Sequence, residues 1–149
     1  MAMEVSKIMN RNVVTVSADT PVKEVARKMV EGGYTGLPVV SGDEVIGIVT
    51  EADLIMQKSK IHLPHYLQLL DSFLYLEDPK DLEEDLHKII GVDAEEVMTK
   101  PVVTVNSTDT IENAATLFSE HHVNPIPVVD HGKLVGILSR NDIVRLLAR

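Results

Sequence analysis

The stretches "IGIVTEADLI" (residues 46–55) and "VGILSRNDIV" (residues 135–144) write one pattern twice. A glycine is followed by two apolar residues, then Thr or Ser, two variable positions, Asp and another apolar residue. Gly47 aligns with Gly136 and Asp53 with Asp142, at one offset: 136 − 47 = 89 and 142 − 53 = 89. Without any gap, the same offset pairs "VVTV" at 13–16 with "VVTV" at 102–105, "LPVV" at 37–40 with "IPVV" at 126–129, and Met9 with Met98. A fixed-period repeat is the first thing to settle in a chain, because it dictates the architecture. Two copies, residues 1–57 and 93–149, therefore flank an insert at 58–92.

Each copy predicts strand, helix, strand, strand, helix. The "VVTV" segments are β-branched and suit a strand. In the first copy Thr20 is placed to cap a helix with Pro21 at its first position, where the missing N–H is harmless. Val22, Val25, Ala26, Met29 and Val30 then recur at helical spacing. In the second copy Asp109 is the expected cap with Glu112 three residues on, and Ile111, Ala114, Ala115 and Phe118 form the apolar face. "LPVV" and "VIGIVT" flank "SGDE", while "IPVV" and "LVGILS" flank "DHGK"; both read as hairpins with polar, glycine-containing turns. A last helix opens near Glu51 or Arg140, capped by Thr50 or Ser139. Half a domain of this size buries a sheet poorly. The expected architecture is thus α+β: two βαββα repeats packed sheet against sheet about a pseudo-twofold axis, over one shared core.

Composition bounds the function. The 149 residues are 44% hydrophobic and 25% charged, with 3% aromatic residues, so aliphatic side chains and Met must build the core. There is no cysteine, which removes disulfide and thiolate chemistry and suits a cytoplasmic location. No apolar run approaches the roughly 20 residues of a membrane span, and no leader is expected. A net charge of −9 opposes a nucleic-acid partner.

With "YTGLPVV…IGIVTEADL" and "VNPIPVV…VGILSRNDI" set out, the chain resembles the tandem CBS-domain pair, or Bateman module, across both repeats. The resemblance implies a standalone regulatory module without catalytic residues, needing no cofactor. Such pairs commonly form homodimers through their helices and act on an effector protein.

The repeated corners have a chemistry of their own. Thr50 or Ser139 ends a strand and starts a helix, whose free N–H groups tolerate an anion. Asp53 or Asp142 lies three residues on, where a carboxylate can accept two hydrogen bonds from a vicinal diol. The same pattern is also ordinary helix-start chemistry needing no ligand. In the family that the chain resembles, this Asp holds the ribose of an adenosine ligand, with Ser/Thr nearby. That role is carried to Thr50, Asp53, Ser139 and Asp142 by resemblance. AMP, ADP, ATP and S-adenosylmethionine are the ligands it implies.

An apolar slot for the base is expected from "VVTV" of the opposite repeat. Its candidates are Met9, Asn10 and Val14 with Ile137, and Met98, Thr99 and Val103 with Ile48. Gly36, Leu37, Asn124, Pro125 and Ile126 precede or open the Pro-containing strands and could offer backbone groups to the base. Each apolar residue among these equally suits plain core. Arg140 is the first phosphate candidate, with Lys7, Arg11 and Lys100. Glu51 stands where the second copy has Arg140, so the two sites should differ, and the Arg140/Asp142 corner is expected to be the phosphate-tolerant one. Relatives with strong nucleotide binding place His or Arg just before the "hPV" strand. Gly36 and Pro125 stand there, which weakens the case for a triphosphate.

His62, His65, His121 and His122 do not make a metal site: there is no cysteine and no telling third ligand. The insert predicts two helices. One carries Tyr66, Leu69, Leu70, Phe73 and Leu74 after Pro64; the other runs from Asp78 and Pro79 to Gly91 with Leu82, Leu86, Ile89 and Ile90 on one face. It would serve as a lid or as a dimer contact. The rival readings are a ligand-free structural adaptor and a small enzyme using His121 or His122.

Overall fold

The computed structural model describes residues 2–55 and 92–149. The expected insert helices, with His62 and His65, lie outside the described residues. A 3-10 turn at Val5–Lys7 precedes α1 (Val22–Gly32), β1 (Gly36–Ser41) and β2 (Glu44–Thr50). A helix opening at Glu51 is described as far as Ile55. The second repeat comprises α2 (Ala94–Val97), α3 (Ile111–His121), β3 (Ile126–Asp130), β4 (Lys133–Leu138) and α4 (Arg140–Leu147).

Both hairpins are antiparallel, and both ladders break at equivalent points, Val39/Val40 and Val128/Val129. In the second turn His131 and Gly132 both take positive φ, 52° and 79°, as a tight two-residue hairpin requires. The hairpins do not face each other as two sheets. They join edge to edge at the pair Glu44↔Lys133, giving one sheet of order β1-β2-β4-β3.

"VVTV" is a strand only at its last residue. Val16 donates to the Pro38 carbonyl (3.0 Å) and accepts from Val40 (2.9 Å). Extending that parallel ladder to Val14 would need an N–H from Pro38, which proline lacks. Val105 stops at Pro127 for the same reason.

The expected single core is replaced by two. One contains Val105, Ala114, Phe118, Ile126, Val128 and Leu138 from the second repeat, with Val5 and Met9 from the first. The other contains Val16, Val25, Met29, Leu37, Val39 and Val49 from the first repeat, with Ala94 and Val97 from the second. Each repeat therefore closes its core with the other's leading segment. Backbone bonds repeat the exchange at the same offset. Val22 N–H reaches the Val92 carbonyl (2.7 Å) and Ala94 N–H the Thr20 carbonyl (2.8 Å). Ile111 N–H reaches Met3 (3.0 Å) and Val5 N–H reaches Asp109 (2.8 Å).

This exchange shifts both helix starts by one residue. Pro21 is the N-cap of α1, without a side-chain bond, and Thr20 instead accepts from Ser17 N–H (3.0 Å). Thr110, not Asp109, caps α3 by accepting from Asn113 N–H (3.2 Å), while Asp109 ties Asn106. Of the expected helix faces, Val30 is exposed and Ala115 lies on the outer side.

Two glycines admit the exchanged segments. A Cβ on Gly47 would overlap the Met98 thioether, and one on Gly136 would come within 2.5 Å of Met9 Sδ. The repeated glycine of the opening pattern thus makes room for the other repeat's methionine.

Candidate functional site: two clefts across the repeat boundary

Beside each glycine the strands of the two repeats meet in a short bridge. Ile48 and Thr99 exchange both backbone bonds (3.1 and 2.8 Å), and Asn10 and Ile137 do the same (2.9 Å each). The bridges bring the helix-start corner of one repeat against the valine approach of the other, and a cleft opens on each side.

The first cleft, about 370 Å³, has Ile48, Thr50 and Asp53 on one wall and Thr99, Val102, Val103, Val123, Asn124 and Pro125 on the other. The second, about 430 Å³, sets Ile137, Ser139 and Asp142 against Asn10, Val13, Val14, Tyr34, Gly36 and Leu37. Both volumes fall in the range of small-molecule pockets. Thr35, Asn124 and Pro125 border both clefts. Gly36 is held small there, since a Cβ would stand 2.8 Å from Pro125 Cδ.

Each carboxylate is fixed by its own corner. Thr50 donates through N–H (2.9 Å) and hydroxyl (3.1 Å) to Asp53 Oδ2. Ser139 donates in the same way to Asp142 Oδ2, at 2.7 and 3.0 Å, inside a capping box that starts α4. The local helix-start chemistry is therefore present, and Asp53 and Asp142 each border a cleft.

The other candidates divide. Asn10, Val14, Gly36, Leu37 and Ile137 border the Asp142 cleft, and Ile48, Thr99 and Val103 the Asp53 cleft. Met9, Met98 and Ile126 border neither: the methionines are drawn onto Gly136 and Gly47, and Ile126 is fully buried at the start of β3. Lys7, Arg11 and Lys100 are exposed and stand outside both clefts. Arg140 does not join Asp142. It borders the Asp53 cleft together with Glu51, which reverses the expected separation of these two charges.

Sequence reading missed Arg145 and Asn141 in the Asp142 cleft and His122 as a wall of the Asp53 cleft. Arg145 lies three residues after Asp142, so helical spacing could have found it. His122 takes φ 52°, the conformation that Gly33 holds at the equivalent place in the first repeat. Among the described residues no group of three His, Cys, Asp or Glu could hold a metal, and no helix is long and apolar enough to cross a membrane.

Comparison with known proteins agrees with this geometry. The CBS domain family model matches twice, at residues 5–60 and 94–149. The chain is 30% identical to the uncharacterized protein MJ1426 of Methanocaldococcus jannaschii, covering 97% of this chain and 91% of that one. MJ1225 of the same organism is 27% identical over 93% of this chain, which spans only 45% of it. Among solved structures, CBSX2 in complex with AMP superposes with a TM-score of 0.72 at 27% identity, over 97% of this chain and 96% of that one. The chloroplastic CBS domain-containing protein CBSX2 of Arabidopsis thaliana is 30% identical over 91% of this chain, which spans 58% of it. With both repeats matched and their helix-start corners brought to a common seam, the chain belongs to the CBS domain family as a tandem, regulatory-type pair.

Proposed function

We propose that the pair is a non-catalytic sensor of an adenosine-containing ligand, AMP, ADP, ATP or S-adenosylmethionine, held in the clefts between repeats. One observation carries this reading. Each cleft sets a diol-competent carboxylate from one repeat opposite an apolar valine wall from the other. Such a ligand would place its ribose hydroxyls on Asp142 or Asp53 and its purine against Val13 and Val14 or Val102 and Val103. The AMP complex of CBSX2 supports the ligand class. Because the ligand spans both repeats, it binds the closed arrangement better than an open one, and that difference is the signal. Transmission runs to a second copy or an effector protein over the helices, where Val30, Ile55, Val144 and Leu147 are exposed.

Thermal unfolding with AMP, ADP, ATP, NAD and S-adenosylmethionine tests the reading. A ligand at 100 times its dissociation constant adds about 2.7 kcal/mol and raises the melting temperature by several degrees. A 2′-phosphorylated analogue should bind worse than its parent, because the carboxylate would face an anion. No shift with any compound would leave the adaptor role in its place.

A further inference from the structure

Resting on the nucleoside reading above, we propose that Thr99 makes the two clefts unequal. It occupies Asp53 from across the repeat boundary, and the Asp142 cleft is left as the one that takes a ribose-type vicinal diol first.

At the bridge itself the backbone gives no reason for inequality. Thr99 and Asn10 are equivalent positions, 99 − 10 = 89, and each makes the same two-bond bridge to the opposite strand, with Ile48 or Ile137. The side chains differ. Thr99 donates its hydroxyl to Asp53 Oδ1 at 2.6 Å, a short charge-assisted bond. Asn10 turns its side-chain carbonyl back onto the N–H of Asn12, 2.9 Å away. Asp142 Oδ1 accepts no hydrogen bond among the described residues, while Asp142 Oδ2 is held by Ser139 as Asp53 Oδ2 is held by Thr50. A diol arriving at Asp142 meets an open acceptor oxygen. A diol arriving at Asp53 must displace or share with Thr99.

The flanking residues act in the same direction. Tyr34 borders the Asp142 cleft, where the equivalent residue of the other cleft is Val123. An aromatic ring offers a purine a stacking surface that valine lacks. Glu51 borders the Asp53 cleft and opposes any phosphate entering beside it, partly offsetting Arg140. Losing one charge-assisted acceptor is worth about tenfold or more in affinity.

Calorimetric titration of the full chain with AMP reads this directly. The expected result is two unequal sites, the tighter removed by Asp142→Ala and kept by Asp53→Ala. Thr99→Val keeps the backbone bridge and frees Asp53, so the weaker site should tighten about tenfold or more; Thr99→Ser should restore the wild-type value. Changing AMP to its 2′-deoxy analogue should weaken the tighter site most. Equal sites, loss of the tighter site in Asp53→Ala, or a weaker site that Thr99→Val leaves unchanged or weakens further would each overturn the proposal. They would leave the nucleoside reading standing. Absence of heat with AMP, ADP, ATP and S-adenosylmethionine alike overturns both. The tie itself is read without ligand. The denaturation midpoints of Asp53→Asn, Thr99→Val and the double variant should be non-additive, and strict additivity overturns the proposal whatever the titrations give.

Discussion

The two clefts share a backbone and differ in their side chains. Most main-chain bonds that build one have a partner 89 residues away in the other: Val22–Val92 with Ile111–Met3, Ile48–Thr99 with Ile137–Asn10, Val16–Pro38 with Val105–Pro127. The corners are held alike by Thr50 and Ser139. On the walls, Thr99 of one cleft corresponds to Asn10 of the other and Val123 to Tyr34, and Arg140 sits with Glu51 beside Asp53. Buried N–H and C=O groups must be paired, so most of the scaffold repeats. Cleft side chains border open space, so they can differ without loss of fold. Symmetry is therefore a property of the framework, and binding is free to be asymmetric.

The sharpest way to break this comparison is to damage one half and observe the other. Leu138 is fully buried in the core of the second repeat, under segments that the first repeat supplies. Leu138→Ala should cost about 2–5 kcal/mol. Because each core is closed by the other repeat's leading segment, chemical denaturation should still show one transition for both halves. Two separated transitions would show that the repeats fold independently of the exchange.

A smaller effect is expected at the glycines. Gly47→Ala and Gly136→Ala push a methyl into Met98 and Met9, and overpacking of this kind costs about 1–3 kcal/mol. Met98→Ala in the Gly47→Ala background should recover part of the loss, measured as denaturation midpoints. Failure of either glycine variant to destabilise would mean that the exchanged segments sit loosely.

The smallest effect sharpens a difference between the halves. Ser107 donates its hydroxyl (2.6 Å) and N–H (3.1 Å) to Asp130. These bonds, with minor help from His131 and Arg11 and against some desolvation, hold the Asp130 carboxyl below its ordinary value of 3.8. The equivalent residues in the first repeat are Ala18 and Ser41, which cannot form this clamp. A carboxyl depressed on folding stabilises fully above its unfolded value, and that contribution is lost as pH falls through the lower folded one. Asp130→Asn should therefore flatten the acid limb of the stability profile below about pH 4. An unchanged limb would contradict the clamp.

Much of this was legible in the chain. The gapless offset gave the repeats, the hairpins and both corners, because Gly, Pro and the Thr/Ser-x-x-Asp pattern act locally. The exchange of leading segments was not legible. Val5 and Met9 lie in a stretch too short for a periodicity to show which core they serve. Helix caps moved by one residue because the other repeat's backbone takes the first N–H groups. The cleft-lining residues were legible where they follow from the repeat, and not where one residue's direction decides. Met9 and Met98 went to the glycines, and Arg140 went to the opposite cleft.

The most direct measurement is a crystal structure of the chain with AMP. The account predicts electron density in the cleft between repeats, with the ribose hydroxyls on Asp142 and the adenine lying between Tyr34 and the Val13–Val14 wall. Density for AMP away from both seams, or clefts that close over Asp53 and Asp142 and admit nothing while the ligand is present, would contradict it.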